Sequence, residues 1–325
     1  MIDIRDIEAA AGRLAGVSVR TPLLQNHALD EEVGGKVLVK PECLQVTGSF
    51  KIRGAYNFLS QLTPEEAAKG VVAFSSGNHA QGVAAAGSLL GIKTAIVMPE
   101  DAPRAKLENT RRLGGEVITY DRYTGDREAL ARQIAAERGA VVVPSYDHNF
   151  IIAGQGTVGL EIAEQCAEFG TEPDQVLVCC GGGGLIAGSA TALKARWPNV
   201  SVHSVEPEGF DDTARSLLSG ERERIDGSAR SICDALQADS PGKLTFAINK
   251  HLLDVGLVVS DDEVREAIRF AFRNLKLVAE PGGAVALAAV LSGKIDTQGK
   301  TTVVVISGGN VDGELFAEIQ REVSG

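Results

Sequence analysis

Short apolar runs alternate with amphipathic stretches along most of the chain, an order that predicts an α/β protein with mainly parallel sheets. Val71–Phe74, Thr94–Met98, Val176–Cys180, Ser201–Val205 and Thr302–Ile306 are apolar runs of strand length. Such runs suit strands covered by helices on both faces. The opening segment, MIDIRDIEAAAGRL, reads as an amphipathic helix. Thr63, Pro64 and Glu66 supply an N-cap, an N1 proline and a capping-box glutamate for a short helix closed by Gly70. Ser260 and Glu263 form a second capping box, opening a helix expected to run through Phe272.

Two segments echo each other. Val71–Phe74 leads into Ser75-Ser76-Gly77-Asn78-His79, a small-residue helix and a strand ending at Pro99-Glu100; Val176–Cys180 leads into Gly181–Gly184, a helix from Leu185 and a strand ending at Glu206-Pro207. A third strand, Thr302–Ile306, ends in Ser307-Gly308-Gly309-Asn310. Ligands of open parallel sheets bind beyond the carboxyl ends of the strands. Three glycine-bearing turns in that position point to one shared cleft between two sheets.

Composition narrows the classes. The chain has 325 residues, 44% of them hydrophobic, enough for two domains with cores that need no disulfide or metal staple. A net charge of −11 and 5% aromatic content argue against nucleic-acid binding. No uncharged apolar stretch reaches the ~20 residues of a membrane span; the longest candidate, Val176–Leu193, is broken by four glycines. Cys43, Cys166, Cys179, Cys180 and Cys233 are scattered and odd in number, as expected of reduced thiols in a cytoplasmic protein.

Three motifs carry chemistry. Gly181–Gly184 between strand and helix offers successive backbone N–H groups and a helix N-terminus, which suit a phosphate. Gly182, Gly184 and Ala187, with Glu206 about 20 residues on, also fit a loose dinucleotide pattern, and a tight packing turn is the plainer alternative. Ser75–His79 at a helix start is either a carboxylate clamp or an ordinary Ser/Asn-rich cap. Lys51, within Thr47-Gly48-Ser49-Phe50-Lys51-Ile52-Arg53-Gly54-Ala55, would by default be a solvated surface lysine. Buried beside a cofactor, it could form a Schiff base.

Taken in order and spacing, Thr47–Ala55, Ser75–Gln81, Gly181–Gly188 and Ser307–Asn310 together resemble the fold-type II pyridoxal-phosphate enzymes, within them the serine/threonine dehydratase and serine racemase group. The resemblance covers nearly the whole chain, from the N-terminal helix to Gly309. It implies the tryptophan synthase beta subunit-like fold: two open, mainly parallel twisted sheets with flanking helices and an active site in the interdomain cleft. It further implies a large discontinuous cofactor domain (residues 1–52 and 147–325), a small mobile domain (53–146) and a homodimer.

Carried onto matching positions, the resemblance makes Lys51 the Schiff-base residue and general base, with Phe50 beside it. Asn78 meets the cofactor's phenolic oxygen, Gly181, Gly182, Gly183, Gly184 and Leu185 give N–H groups to the phosphate, and Ser307 faces the pyridine nitrogen. Ser76 matches the second acid/base on the opposite face. Ser75, Ser76, Gly77, Asn78 and His79 would hold substrate, while Ala235 and Glu280 flank the cofactor. Ala235 stands where relatives commonly have glycine. Glu206, the Phe210 carbonyl and Asp212 match a divalent-cation site of the racemase-like branch, and as hard oxygen ligands suit Mg²⁺, Ca²⁺ or Mn²⁺.

A neutral hydroxyl at Ser307 makes the ring a weaker electron sink than a carboxylate would, which favours β-elimination over transamination. The expected activity is thus a dehydratase, or ammonia-lyase, acting on L-threonine or L-serine. Alternatives are 3-hydroxyaspartate, with Arg127 on the second carboxylate, and serine racemase chemistry through Ser76. Tyr146 departs from the expected substrate-pocket residue, and the plainer reading of Arg127 is a charge opening the helix Glu128–Arg138. More remote are an NAD-dependent oxidoreductase, which leaves Lys51 and Ser75–His79 unexplained, and a non-catalytic binder on the same fold. His27, His79, His148, His203 and His251 lack paired metal-ligand spacing and read as structural or surface residues. The family's regulatory domain has no counterpart here, so isoleucine control is not expected.

Overall fold

A computed structural model describes residues 1–75, 77–102, 104–121, 125–226 and 228–321. Its strands are β1 (Leu24–Gln25), β2 (Lys36–Pro41), β3 (Val71–Phe74), β4 (Thr94–Pro99), β5 (Glu116–Tyr120), β6 (Val141–Val142), β7 (Gln175–Cys179), β8 (Ser201–Pro207), β9 (Gly256–Val259) and β10 (Thr301–Ile306). They make a six-stranded sheet in the order β1-β2-β10-β7-β8-β9 and a four-stranded sheet in the order β5-β4-β3-β6. Every described strand pair is parallel except β1 with β2. All five apolar runs read from the sequence are strands.

Register follows from two-sided burial. Val303 lies opposite Leu38 and Val176, and Val304 opposite Val39 and Leu177, all with no solvent exposure. Each such side chain, fully buried, contributes about 1.5–3 kcal/mol, so a one-residue slip in this sheet has nowhere favourable to go. A second core under the four-stranded sheet gathers Ile52, Phe58, Val71, Ala73, Ile96 and Met98. The buried helix Asn149–Glu168 packs against both Lys51–Leu59 and Gly184–Arg196, tying the lysine helix to the helix behind the glycine loop.

The local signals behave as their chemistry requires. Asp3 caps the N-terminal helix Ile4–Leu14, Thr63 and Glu66 close a reciprocal capping box on Pro64–Lys69, and Ser260 and Glu263 do the same on Asp261–Phe270. That last helix ends earlier than expected: Ala271–Leu275 widen into a π turn, stopped by Lys276 at φ 59°. Among the described residues, no helix is long and apolar enough to cross a membrane, and all five cysteines are free.

Candidate active site

The carboxyl ends of β3, β7 and β10 deliver their turns to one place. Lys51 opens the helix Lys51–Leu59, held there by a hydrogen bond from the Phe50 N–H to the Ser307 carbonyl (3.1 Å) and a bridge between Ser49 and Gly308. The Lys51 amine donates to the Ser145 carbonyl at 3.1 Å and lies 5.0 Å from the centre of the Phe50 ring. Desolvation pulls it from the ordinary 10.5 down to about 8, against the opposing pull of Cys179 and Glu280. That is an amine able to act as nucleophile or base near neutrality.

Ser307 is buried at the end of β10, and its hydroxyl partly offsets the desolvation that pushes the Cys179 thiol up to about 11. Asn78 begins the helix Asn78–Leu90; its Nδ2 donates to Glu280 Oε1 at 2.5 Å, and its Oδ1 accepts from Asn310 Nδ2 at 2.7 Å. Burial, reinforced by Asp234, pushes the Glu280 carboxyl up to about 7. Ser75 accepts the Gly77 N–H, and the first-turn N–H groups beyond it lack intrahelical partners. His79 is buried, with its Nε2 3.1 Å from the Val143 carbonyl, and burial lowers it to about 3; it is a neutral structural side chain. Ser76 lies outside the described residues.

The glycine loop is a cradle without room for side chains. A Cβ at Gly182 would stand 2.3 Å from the Tyr146 ring, and one at Gly184 2.4 Å from Gln155 Oε1. Gly183 has φ +91°, and its carbonyl accepts from Ala187 at the head of the following helix. Thr245 bonds the Gly182 carbonyl at 2.7 Å, and Asp147 caps the Thr245 helix through three N–H groups. Tyr146 thus packs on the loop itself. Ala235 sits against Gly282, and its carbonyl lies near Gly181. Arg127 is exposed and opens the helix Arg127–Arg138 behind the Asp126 cap.

A third group sits beyond β8. Glu206 accepts N–H groups from Thr213 (2.9 Å) and Ala214 (2.8 Å), while both oxygens of buried Asp212 have no partner. Burial and mutual repulsion push Glu206 well up, and burial brings Asp212 to about 7. Phe210 lies buried between them in sequence. Among the described residues, no three His, Cys, Asp or Glu side chains cluster as metal ligands.

Sequence reasoning missed several members. Asn310 was visible only as part of a motif, and Cys179 only as a thiol. Lys106 reaches Asp234 at 2.8 Å from the helix after β4, a pairing with no local signal.

The buried amine, the N–H cradle and the Ser307 hydroxyl fit pyridoxal phosphate. Its uptake by the apo-protein is expected to accelerate up to about pH 8 and then level off, because only the neutral Lys51 amine attacks the aldehyde. Stopped-flow absorbance checks this; a rate still climbing towards pH 10.5 would mark an ordinary lysine. Gly183→Ala is expected to weaken cofactor affinity roughly 10–100-fold, since the left-handed backbone strains any Cβ and Asn249 Nδ2 would lie 2.8 Å from it. A spectral titration reads that loss.

Known proteins agree with this geometry. The family model described as pyridoxal-phosphate dependent enzyme matches residues 15–308. The chain is 43% identical over 316 residues to an L-threo-3-hydroxyaspartate ammonia-lyase of a Pseudomonas species, covering 97% of this chain and 98% of that one. It is 43% identical over 319 residues to the L-threonine ammonia-lyase of Thermotoga maritima, covering 98% and 78%. The structure of maize serine racemase superposes with a TM-score of 0.92 at 39% identity, covering 97% and 96%. With matches of this extent over a half-buried lysine and its glycine cradle, the chain belongs to the pyridoxal-phosphate dependent enzyme family, in its fold-type II form.

Proposed function

We propose that the enzyme is a carbon–nitrogen lyase, a dehydratase that converts L-threonine or L-serine into a 2-oxo acid and ammonia by β-elimination. The observation that carries this is Ser307: the buried group at the end of β10 is a neutral hydroxyl, not a carboxylate. When bound, pyridoxal phosphate supplies the electron sink for negative charge at Cα, and a hydroxyl partner leaves that sink moderate.

The chain's own residues do the rest. Gly181, Gly182, Gly183, Gly184 and Leu185 present N–H groups to the phosphate, and Phe50, Ala235 and Glu280 flank the ring. The N–H groups at the start of Asn78–Leu90 receive the substrate carboxylate. Lys51 Nζ, neutral above about pH 8, takes the Cα proton. With a proton returned to it in place of the one Lys51 has taken, the β-hydroxyl departs as water, and the released enamine hydrolyses through its imine to the 2-oxo acid and ammonia. In this reading residues 53–146 close over the substrate, and the enzyme works as a cytoplasmic homodimer, which sedimentation tests.

Glu206, the Phe210 carbonyl and Asp212 hold a divalent cation in support of the fold. The partnerless Asp212 oxygens, buried beside a second carboxylate, supply the hard donors it needs. Chelator is expected to lower the melting temperature by several degrees and Mg²⁺ to restore it; no change on chelation overturns that assignment.

The Pseudomonas relative, as similar to this chain as the Thermotoga L-threonine ammonia-lyase, supports a second reading, 3-hydroxyaspartate as substrate. Assay of 2-oxo acid release from L-threonine, L-serine and both 3-hydroxyaspartate diastereomers decides between them, and chiral analysis of the remaining serine detects racemisation. Inertness of the yellow holoenzyme towards all of these would overturn the lyase proposal.

A further inference from the structure

We propose that Asn310 is a positioning residue: it fixes the side-chain amide of Asn78 so that one N–H stays free to donate to the cofactor's phenolic oxygen. The inference rests on the pyridoxal-phosphate reading of the site and assigns a role to a residue outside the cofactor's own contacts.

A chain of hydrogen bonds carries it. Asn310 Nδ2 donates to the Thr47 carbonyl at 2.9 Å and to Asn78 Oδ1 at 2.7 Å. Asn78 Nδ2 in turn donates to Glu280 Oε1 at 2.5 Å. The orientation of a side-chain amide is decided by its partners, and this chain has two ends that could decide it. At one end the Glu280 carboxylate can only accept while ionised, and once protonated its O–H can also donate. Burial, then Asp234, push its carboxyl up, while Asn78, Lys106 and Lys51 pull the other way, leaving it at about 7. Near neutrality that end can donate as well as accept.

The other end is the Thr47 backbone carbonyl, which accepts at every pH. It forces Nδ2 of Asn310 towards itself. The same Nδ2 then demands an oxygen from Asn78, and so the Asn78 NH₂ is turned away from Asn310. Of its two hydrogens, one goes to Glu280 and one remains. Asn310 therefore carries a pH-independent instruction from the segment before Lys51 to the head of the Asn78 helix. Gly48 keeps the path open: it has φ +70°, and a Cβ there would stand 2.6 Å from Asn310 Oδ1. No local sequence signal links these residues, for Asn310 and Asn78 are 232 positions apart.

The test is a spectral titration of the holoenzyme between pH 6 and 8.5. Wild type is expected to hold a constant visible band across the Glu280 transition, and the affinity of each variant is read against wild type at the same pH, which removes the Lys51 dependence common to all. In Asn310→Leu the Asn78 amide follows Glu280, so the band becomes pH-dependent across this range. Affinity should fall roughly tenfold on the acid side, the loss of one hydrogen bond to a charged oxygen. Adding Glu280→Gln to Asn310→Leu should remove the pH dependence. Asn310→Asp, which cannot donate to Thr47, serves as the second variant and should weaken affinity at all pH values. Unfolding of each apo-protein reports on the fold separately, and a purely structural role would move that alone. Folded, loaded variants with wild-type band, titration and affinity overturn the proposal. So does a wild type that already shows the transition. A wild type that takes up no pyridoxal phosphate sinks the cofactor reading with it, so the two failures are distinct.

Discussion

Lys51→Ala is expected to lower 2-oxo acid release at least about 10⁴-fold and to abolish the visible cofactor band, with the fold intact. One side chain performs two tasks, covalent anchorage and proton abstraction, and general acid–base catalysis alone accounts for about 10²–10⁴. The fold should survive because this amine is a burden to the folded state. Its folded value near 8 lies below the ordinary 10.5, so below pH 8 the protein carries the cost of a desolvated ammonium, and that cost fades as pH rises through 10.5. Against this the enzyme loses one hydrogen bond, to Ser145, and the contact of the amine with the Phe50 ring. Apo Lys51→Ala should thus be no less stable than apo wild type at pH 7. Lys51→Arg should not rescue turnover, since a guanidinium stays charged and cannot take the proton. Activity within a hundredfold of wild type in Lys51→Ala would remove Lys51 from the mechanism.

What could be read in advance was what is encoded locally. An apolar run such as Thr302–Ile306 is a strand because both of its faces are covered, and the turn after it must then lie at the sheet's carboxyl edge. Thr63 and Ser260 cap their helices within three residues, so nothing distant can overrule them. The two-residue strands β1 and β6 escaped notice because they exist only through their pairing with β2 and β3. The site divides the same way. Lys51, Gly181–Gly184 and Ser307 stand in contiguous motifs, whereas the Lys106–Asp234 pair and the Asn310–Asn78 link join segments that only the folded chain brings together. Buried charge was the least legible. Lys40, Glu42 and Arg53 are fully buried, where composition alone would place such residues on the surface.

Arg53→Met is expected to destabilise the apo-protein by about 3–5 kcal/mol at pH 7, the cost of breaking a buried ion pair from one side. Two residues beyond Lys51, the Arg53 guanidinium forks onto Glu42 (2.7 and 2.8 Å) and onto Glu161 (2.6 and 2.9 Å), with Thr157 Oγ1 and the Val19 carbonyl taking its remaining reach. Lys40 adds a contact to Glu161 at 2.6 Å and one to Gln165 at 2.9 Å, but a point charge there cannot replace a planar fork, so Arg53→Lys should recover only part of the loss. Proton linkage separates this from simple loss of packing. Burial alone would raise Glu42, and the charge and hydrogen bonds of Arg53 hold it below its ordinary value. In wild type that stability is present at neutral pH and lost as pH falls through the folded value. Without Arg53 only weaker partners such as Lys40 and the Thr21 hydroxyl still oppose burial, so Glu42 holds its proton to higher pH than in wild type, and acid favours the folded variant relative to wild type. The stability gap between wild type and Arg53→Met should therefore narrow from pH 7 to pH 5 in urea unfolding, whereas a gap that arises from lost packing would stay constant.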